Sequence, residues 1–375
     1  MRKPRHPFVY FSLPCLLAGA LMVIGCSDNA ATSSSLPTTS LQMMIDAKVK
    51  GSTAVPGVLV AVKRGDQQWI GVSGEADTAT HAPVQPGMKF RVGSLTKQFT
   101  AALILKLAEE GRLSLDDTLR HWLPDLQVPN DDKITLRMLL NHTSGVPSYT
   151  TATFWDDLVF DNPYRAWQPS ELIQEAKKTA STTPPADFAY CNTGYILAGM
   201  IAEAASGESA SQAMATRFFT PLEMHDTQLA VDGALSGSYA HGYLKLPGHT
   251  TVDDVSDWNP SSGWTAGSIV TTAHDMLLWD DALFGGKVLS AASLEAMLTP
   301  VAPSTEYGLG LGLKQAADGR TFIYHSGMIP GYSAITARHR ESGLSILILT
   351  NREDISTESN DIITPIFEEV LKRLP

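Results

Sequence analysis

The sequence predicts an α/β (α+β) fold, in which one antiparallel sheet built from N- and C-terminal strands is flanked by helices and carries an inserted, mostly helical domain. Three observations support this prediction. One β-hairpin pattern lies near the start of the chain, and another lies near its end. Between them, about 116–259, short helical patterns alternate with loops rich in Pro and Asp. The predicted domain covers 41–375, with its sheet subdomain at about 41–115 and 260–375.

The first 40 residues are expected to lie outside this domain. Residues 1–25 join a basic start to an apolar stretch and predict a lipoprotein signal peptide, because "MVIGC" resembles a bacterial lipobox. Cys26 would then be lipidated and would anchor the exported protein to a membrane of the bacterial cell envelope. An ordinary cleaved signal or an uncleaved anchor is the alternative. Residues 26–40 are small and polar and predict a flexible tether.

Composition limits the possible partners. Of 375 residues, 43% are hydrophobic and 18% are charged, which is enough for a large core, and the net charge is −11. Nucleic acid is not an expected partner, because phosphate binding needs a basic surface. Cys15 would leave with the signal and Cys26 would be acylated. Cys191 would then be alone, so no intrachain disulfide is expected.

The sheet is predicted from two patterns rich in β-forming residues. A helix candidate at 41–50 precedes "PGVLVAVKRGDQQWIGVSG", which predicts a hairpin with its turn at 64–66. Near the other end, "RTFIYHSG" predicts a short strand. "YSAITARHR" and "LSILILTN", joined by "ESG", predict a second hairpin. A last helix is expected at about 353–373, with a kink at Pro365.

The middle of the chain contains the helical patterns "ITLRMLLNHTSG", "SELIQEAKKTA" and "GYILAGMIAEAASG", followed by "TAHDMLLWDDALFGG". His142 ends the first pattern and is assigned a structural role, since histidine suits the last carbonyls of a helix. Residues 149–167 hold six aromatic side chains that could form a wall for an acyl chain or peptide. Core packing is the alternative. The six are Tyr149, Phe154, Trp155, Phe160, Tyr164 and Trp167.

The stretch "FRVGSLTKQFTAALILKLAEEG", at 90–111, places a hydroxyl and an amine on one face of a helix. Ser94 and Lys97 are three positions apart in its first turn, where free backbone N–H groups favour an anion. Gly111 is expected to end the helix. Burial would lower the pKa of Lys97 toward the range of a base. The structural alternative is a serine that caps the helix and a solvated lysine.

Two further motifs follow. "AYCNTGY" places Tyr190 and Asn192 before an apolar helix, and "YHSGMIPGYS" places His325 and Gly327 where a strand enters a turn. Each alone is explained by helix capping or by a strand-end histidine. Together, "SLTK", "YCN" and "HSG" occur in the order typical of the penicillin-recognising serine hydrolases. Over about 45–370 the chain resembles the branch of class C β-lactamases, DD-peptidases and related esterases, which implies a β-lactamase/DD-peptidase-like fold.

The resemblance implies three catalytic residues. Ser94 would be the nucleophile that forms the acyl-enzyme, and Lys97 would take or relay its proton. Tyr190 would be the general base for acylation and would protonate the leaving group. A tyrosinate at Tyr190 needs a cationic Lys97, whereas a Lys97 base needs to be neutral, so the two titrate as one coupled system.

It also implies a substrate-binding set. The backbone N–H groups of Ser94 and Met328, beside Gly327, would form the oxyanion hole. Asn192 would orient Lys97 or a substrate amide, and His325 would line the far wall as a hydrogen-bond donor or carboxylate binder.

The expected activity is therefore serine hydrolysis of amides or esters, possibly of D-amino-acid peptides or β-lactams. Histidine in the third motif is more typical of DD-peptidases, D-amino-acid-specific peptidases and esterases than of cephalosporinases. A carboxylesterase for short acyl esters and a penicillin- or peptidoglycan-binding protein without turnover are the alternatives. A small-molecule or peptide substrate is the expected partner; no cofactor or metal is expected, and the sequence does not predict the oligomeric state.

Overall fold

The structure is a computed structural model, and it describes residues 35–50, 55–150, 161–233, 235–246, 249–302, 306–316, 318–353 and 363–374. The predicted signal peptide at 1–25 and the predicted lipidation site at Cys26 lie outside these residues. The first described helix begins at Thr38, and Leu36 before it is already buried. The end of the predicted tether at 26–40 is therefore not a tether but part of the packed fold.

The strands, in chain order, are β1 (Gly57–Arg64), β2 (Gln67–Asp77), β3 (Ala82–Pro83), β4 (Phe90–Arg91), β5 (Gln228–Leu229), β6 (Tyr243–Leu244), β7 (Asp253–Asp254), β8 (Ile269–Thr271), β9 (Gly312–Gln315), β10 (Thr321–Ile329), β11 (Tyr332–His339) and β12 (Ser345–Thr350). The helices are α1 (Thr38–Lys50), α2 (Thr96–Glu109), α3 (Leu119–Trp122), α4 (Leu136–Leu140), α5 (Pro169–Ala176), α6 (Asn192–Ser206), α7 (Ala210–Met214), α8 (Trp264–Gly267), α9 (Ala273–Phe284), α10 (Ala291–Leu298) and α11 (Ile363–Arg373). The long strands therefore lie toward both ends of the chain. Most helices, with the short strands β5 to β8, lie between them.

The main sheet has seven described strands in the order β3-β2-β1-β12-β11-β10-β9, and every neighbouring pair is antiparallel. At its centre β1 pairs with β12, with Val58 opposite Thr350. Both strands are rich in Val, Ile and Leu and are buried on both faces, which suits a central position. The predicted sheet of N- and C-terminal strands is confirmed.

Two hydrophobic clusters cover the two faces of this sheet. On one face, Leu41 of α1 and Ile366 of α11 pack with Val60 and Ile348. On the other face, a larger cluster runs from Leu59 and Leu347 into the helices of the middle region. The sheet is therefore a central layer between helices, as the alternation of its buried side chains requires.

The last helix differs in detail from its prediction. Its described part is α11, so the predicted start near 353 falls largely outside the described residues. Pro365 lies in the first turn of this range, where a missing N–H disrupts no described helical bond, and no kink is needed. Within the described ranges, no helix combines the length and the apolar character needed to cross a membrane.

A small second sheet connects the N-terminal part of the chain to the middle region. Its order is β4-β8-β5, so Phe90 and Arg91 pair with a strand that follows the helical region. The buried guanidinium of Arg91 donates to the carbonyls of Trp258, Gly233 and Ser256. These bonds fix the segment that leads into Ser94.

Candidate active site

Ser94 lies in a 3-10 turn, Gly93–Leu95, between β4 and α2. Gly93 has a left-handed φ of +53°, and a Cβ there would lie 2.5 Å from the backbone nitrogen of Met328. A Cβ on Gly327 would lie 2.0 Å from the Val92 carbonyl oxygen and 3.0 Å from the Ser94 nitrogen. The two glycines therefore bring the backbone of Ser94 against the backbone at Met328, where the predicted oxyanion hole would form.

Lys97 is in contact with Ser94. Its Nζ lies 2.9 Å from Ser94 Oγ and 2.7 Å from the carbonyl oxygen of Ala266 in α8, and its side chain is fully buried. Burial lowers the pKa of Lys97 well below that of a free lysine. Nζ donates to both oxygens, and its lowered pKa brings the amine closer to the range in which it can take a proton from Ser94.

Tyr190 completes this group, because its hydroxyl hydrogen-bonds with Ser94 and its ring lies 4.7 Å from Lys97 Nζ. Burial raises the pKa of Tyr190 above that of a free tyrosine, although the bond to Ser94 acts in the opposite direction. The predicted tyrosinate is therefore disfavoured in this site. Ser94 Oγ therefore lies between the Tyr190 hydroxyl and Lys97 Nζ, and Lys97 Nζ donates to it.

Asn192 is the first residue of α6 and faces a loop. Its side-chain amide donates to Thr150 Oγ1 at 3.1 Å, and its backbone N–H donates to Ser148 Oγ at 3.2 Å. Asn192 makes no hydrogen bond to Lys97 among the described residues, and its other predicted role, the orientation of a substrate amide, stays a prediction.

His325 lies on β10 and is only 5% exposed. Its Nδ1 is 2.5 Å from the Ser326 carbonyl oxygen, which can only accept, so Nδ1 carries the proton. Nε2 then accepts from the Tyr307 hydroxyl at 2.9 Å. Burial lowers the pKa of His325 to about 3. The predicted donor or carboxylate binder is therefore an uncharged group with both nitrogens engaged.

The surroundings of Tyr190 include three aromatic residues that sequence reasoning did not place in the site. The buried His142 ring lies 4.3 Å from the Tyr190 ring, 5.3 Å from that of Tyr195 and 4.8 Å from that of Tyr307. His142 lies at the end of α4, as predicted, but its Nδ1 accepts from the backbone N–H of Cys191 at 3.0 Å and does not donate to the last carbonyls of the helix. Two of these residues lie in motifs that the sequence already offers. His142 is the histidine of "NHTSG", which predicts a helix end, and Tyr195 is the second tyrosine of "YCNTGY".

The aromatic segment at 149–167 is described only at its ends. Tyr149 is buried and its hydroxyl donates to the Ser262 carbonyl, and Trp167 is also buried. Tyr164 is 64% exposed. The burial of Tyr149 and Trp167 therefore favours core packing over a wall for the substrate. Tyr164, which is exposed, is not part of the core. The remaining three aromatics, Phe154, Trp155 and Phe160, lie outside the described residues.

Comparison with known proteins places this geometry in context. A protein-family profile described as Beta-lactamase matches residues 45–367. Penicillin-binding protein 4* of Bacillus subtilis (strain 168) is 28% identical over 340 residues, which cover 84% of this chain and 72% of that protein.

Two solved structures are similar in fold and in sequence. A D-stereospecific amidohydrolase from Streptomyces sp. has a TM-score of 0.77 and 32% identity, covering 84% of this chain and 94% of that one. The D-amino acid amidase from Ochrobactrum anthropi SV3, complexed with D-phenylalanine, has a TM-score of 0.80 and 27% identity. That alignment covers 89% of this chain and 98% of the amidase.

Proposed function

The chain belongs to the beta-lactamase family, and from that premise we propose that it is a serine hydrolase for neutral amides and esters, amides of D-amino acids among them. The observation that carries this proposal is the hydrogen-bonded series from Tyr190 through Ser94 to Lys97. A buried amine beside a serine hydroxyl is the arrangement that activates a nucleophile.

The proposed acylation follows from the positions of the protons. Lys97 takes the Ser94 proton while Oγ attacks the substrate carbonyl, and the oxyanion is held by the N–H groups of Ser94 and Met328. The carbon–nitrogen or carbon–oxygen bond of the substrate then breaks. Tyr190 gives its proton to the leaving group and recovers one from Lys97. In the second half of the reaction, water takes the place of the leaving group and frees Ser94.

The uncharged His325 supports the choice of neutral amides and esters as the substrate class. A substrate carboxylate is bound well by a cation, but His325 is uncharged and its Nε2 is occupied by Tyr307. A free carboxylate placed there loses its hydration without gaining an ion pair. This favours acyl donors that end in an amide or ester over peptides ending in a free carboxylate and over β-lactams, which carry one. The D-amino acid amidase among the structural neighbours supports the same class.

A matched substrate pair tests the proposal. We expect a D-Ala-D-Ala peptide with an amidated C-terminus to be hydrolysed with a kcat/KM about tenfold or more above that of the same peptide with a free carboxylate. Ser94→Ala should abolish both activities and remove labelling by a fluorescent phosphonate. A preference for the free carboxylate would contradict the proposed substrate class, and unchanged labelling of Ser94→Ala would contradict the nucleophile.

Two other functions are separated when p-nitrophenyl esters and β-lactams are assayed beside the two peptides. A carboxylesterase would hydrolyse p-nitrophenyl esters but neither peptide. A penicillin- or peptidoglycan-binding protein would give one stoichiometric burst with nitrocefin, or with a fluorescent penicillin, and no turnover of any substrate. Intact Ser94, Lys97 and Tyr190 in contact with one another favour turnover.

We also propose that the protein is exported and lipid-anchored through Cys26, as its lipobox-like sequence suggests. Radiolabelled palmitate should be incorporated when the full chain is expressed in bacteria, and Cys26→Ala should lose the label. Cys191→Ala is the matched control, because this cysteine is buried. A mature protein that starts at another residue and carries no lipid would contradict the anchor.

A further inference from the structure

His142 combines two unfavourable features at one position. Its backbone is in the left-handed region, with a φ of +63°, because it ends α4: Thr143 N–H donates to the Met138 carbonyl oxygen, and glycine is the usual residue at this position. Its Nε2 is buried and has no hydrogen-bond partner in the described part of the chain. Features of this kind collect at functional sites, because a fold retains them where their geometry serves another purpose.

The contacts of His142 converge on one side chain. Its carbonyl oxygen accepts from Ala189 N–H at 3.0 Å, and its Nδ1 accepts from Cys191 N–H at 3.0 Å. These are the residues before and after Tyr190. The ring of His142 lies against the Tyr190 ring at 4.3 Å, with 39° between the ring planes. His142 therefore holds Tyr190 from both backbone sides and from one face of its ring.

The tautomer of His142 follows from these bonds. An Nδ1 that accepts from a backbone N–H carries no proton, so the neutral ring has its proton on Nε2. Burial lowers the pKa of His142 well below its ordinary value. The acceptor at Nδ1 is thus kept at neutral pH. An apolar residue could fill the same space, but it would leave the buried Cys191 N–H without this bond.

We propose that His142 is a positioning residue that holds the Tyr190 phenol at Ser94. This inference rests on the proposed function, in which Tyr190 protonates the leaving group. His142 itself need not touch the substrate. Its effect passes through the ring and the backbone of Tyr190.

Two substrates with one acyl group separate positioning from general damage. In D-phenylalanine p-nitroanilide the leaving amine needs a proton, whereas the p-nitrophenyl ester of D-phenylalanine releases a phenolate that is stable without one. His142→Asn keeps an acceptor near Nδ1 and tolerates the left-handed backbone, but it lacks the ring face. We expect its kcat on the anilide to fall by about tenfold to a hundredfold. KM and the kcat on the ester should change less than about threefold.

Tyr190→Phe supplies the reference for a double-mutant cycle. If His142 acts through Tyr190, adding His142→Asn to Tyr190→Phe should change the anilide kcat by less than about threefold. His225→Asn, at an exposed histidine, is the matched control and should leave both substrates unchanged. If His142→Asn does not fold, as judged by its thermal transition, His142→Phe is used in the same cycle, because it keeps the ring and removes only the acceptor.

The outcomes distinguish the inference from the function on which it rests. An equal decrease in kcat of His142→Asn on the anilide and on the ester would overturn the positioning role. A double variant whose decrease in anilide kcat is the product of the two single decreases would overturn it too. So would a His142→Asn variant with full anilide activity in a protein that Tyr190→Phe impairs. If Tyr190→Phe itself leaves the anilide activity intact, the proposed function fails first and the inference falls with it.

Discussion

At the scale of single residues, burial rather than charge pairing determines the protonation of the catalytic group. Lys97 and Tyr190 are both desolvated, which disfavours the cation of the first and the anion of the second. Burial therefore favours amine and phenol over ammonium and phenolate in this coupled pair. A neutral Lys97 would let the proposed base act on Ser94 without a prior proton transfer.

His325 gives the protein a predictable sensitivity to acid. Its pKa is about 3 in the folded state, compared with 6.5 for a free histidine. Between these values the unfolded chain binds more protons, so the free energy of unfolding rises with pH and falls as the pH is lowered from about 6.5 toward 3. We expect this one group to contribute up to about 1.4 kcal/mol per pH unit in that window.

Urea unfolding at several pH values measures this contribution. His325→Gln should reduce the slope of stability against pH, and it should not abolish it, because buried His142 acts in the same direction. His225→Gln, at an exposed position, should leave the slope unchanged. A slope that is the same in wild type and His325→Gln would show that His325 is not held neutral by the fold.

At the scale of elements, the site depends on the close approach of β10 to the 3-10 turn at Gly93–Leu95. Gly327→Ala would push a methyl group into the Val92 carbonyl, and Gly327 is paired with Ala334 of β11, so β10 cannot move freely away from it. We expect the variant to lose about 1–3 kcal/mol of stability and about a hundredfold in kcat.

The control for this variant is Gly87→Ala, because Gly87 is exposed and a Cβ there would meet nothing within 4 Å. It should retain the melting temperature and the activity of the wild type. A Gly327→Ala variant as active as Gly87→Ala would mean that the oxyanion hole does not depend on this approach.

The main elements were predictable because their signals are local. The two hairpins and the long helices α2 and α6 follow from periodicity and turn residues, and the motifs at Ser94, Tyr190 and His325 indicated the site. Strand β10 runs further than predicted, through Gly327 to Ile329, because its pairing with β11 outweighs the weak strand preference of glycine.

The finer arrangement of the site depends on contacts between distant segments. The carbonyl that accepts from Lys97 belongs to α8, a four-residue helix in "GWTAGS" without a periodic signal. The hydroxyl that occupies His325 Nε2 belongs to Tyr307, in another loop. The contact of His142 with Tyr190 joins segments nearly 50 positions apart. No pattern within one segment predicts such contacts.

At the scale of the whole molecule, the sheet and the middle helices form one packing unit. A single cluster joins Leu59 of β1 and Leu347 of β12 to Leu197 of α6 and Ala213 of α7. We therefore expect one cooperative unfolding transition, with the same midpoint by far-ultraviolet circular dichroism and by tryptophan fluorescence. An earlier, separate transition of the middle helices would show that the predicted insertion at 116–259 is an independent folding unit.

The central pairing of β1 with β12 also sets when the chain can fold. Gly57 donates to Asn351 across 294 positions of sequence, so the middle of the sheet cannot form until almost the whole chain has been synthesised. At about 5–20 residues per second, a ribosome leaves β1 without its partner for roughly 15–60 seconds. During that time chaperones have access to an open polypeptide, and a translocation channel that admits only unfolded chains can still thread it.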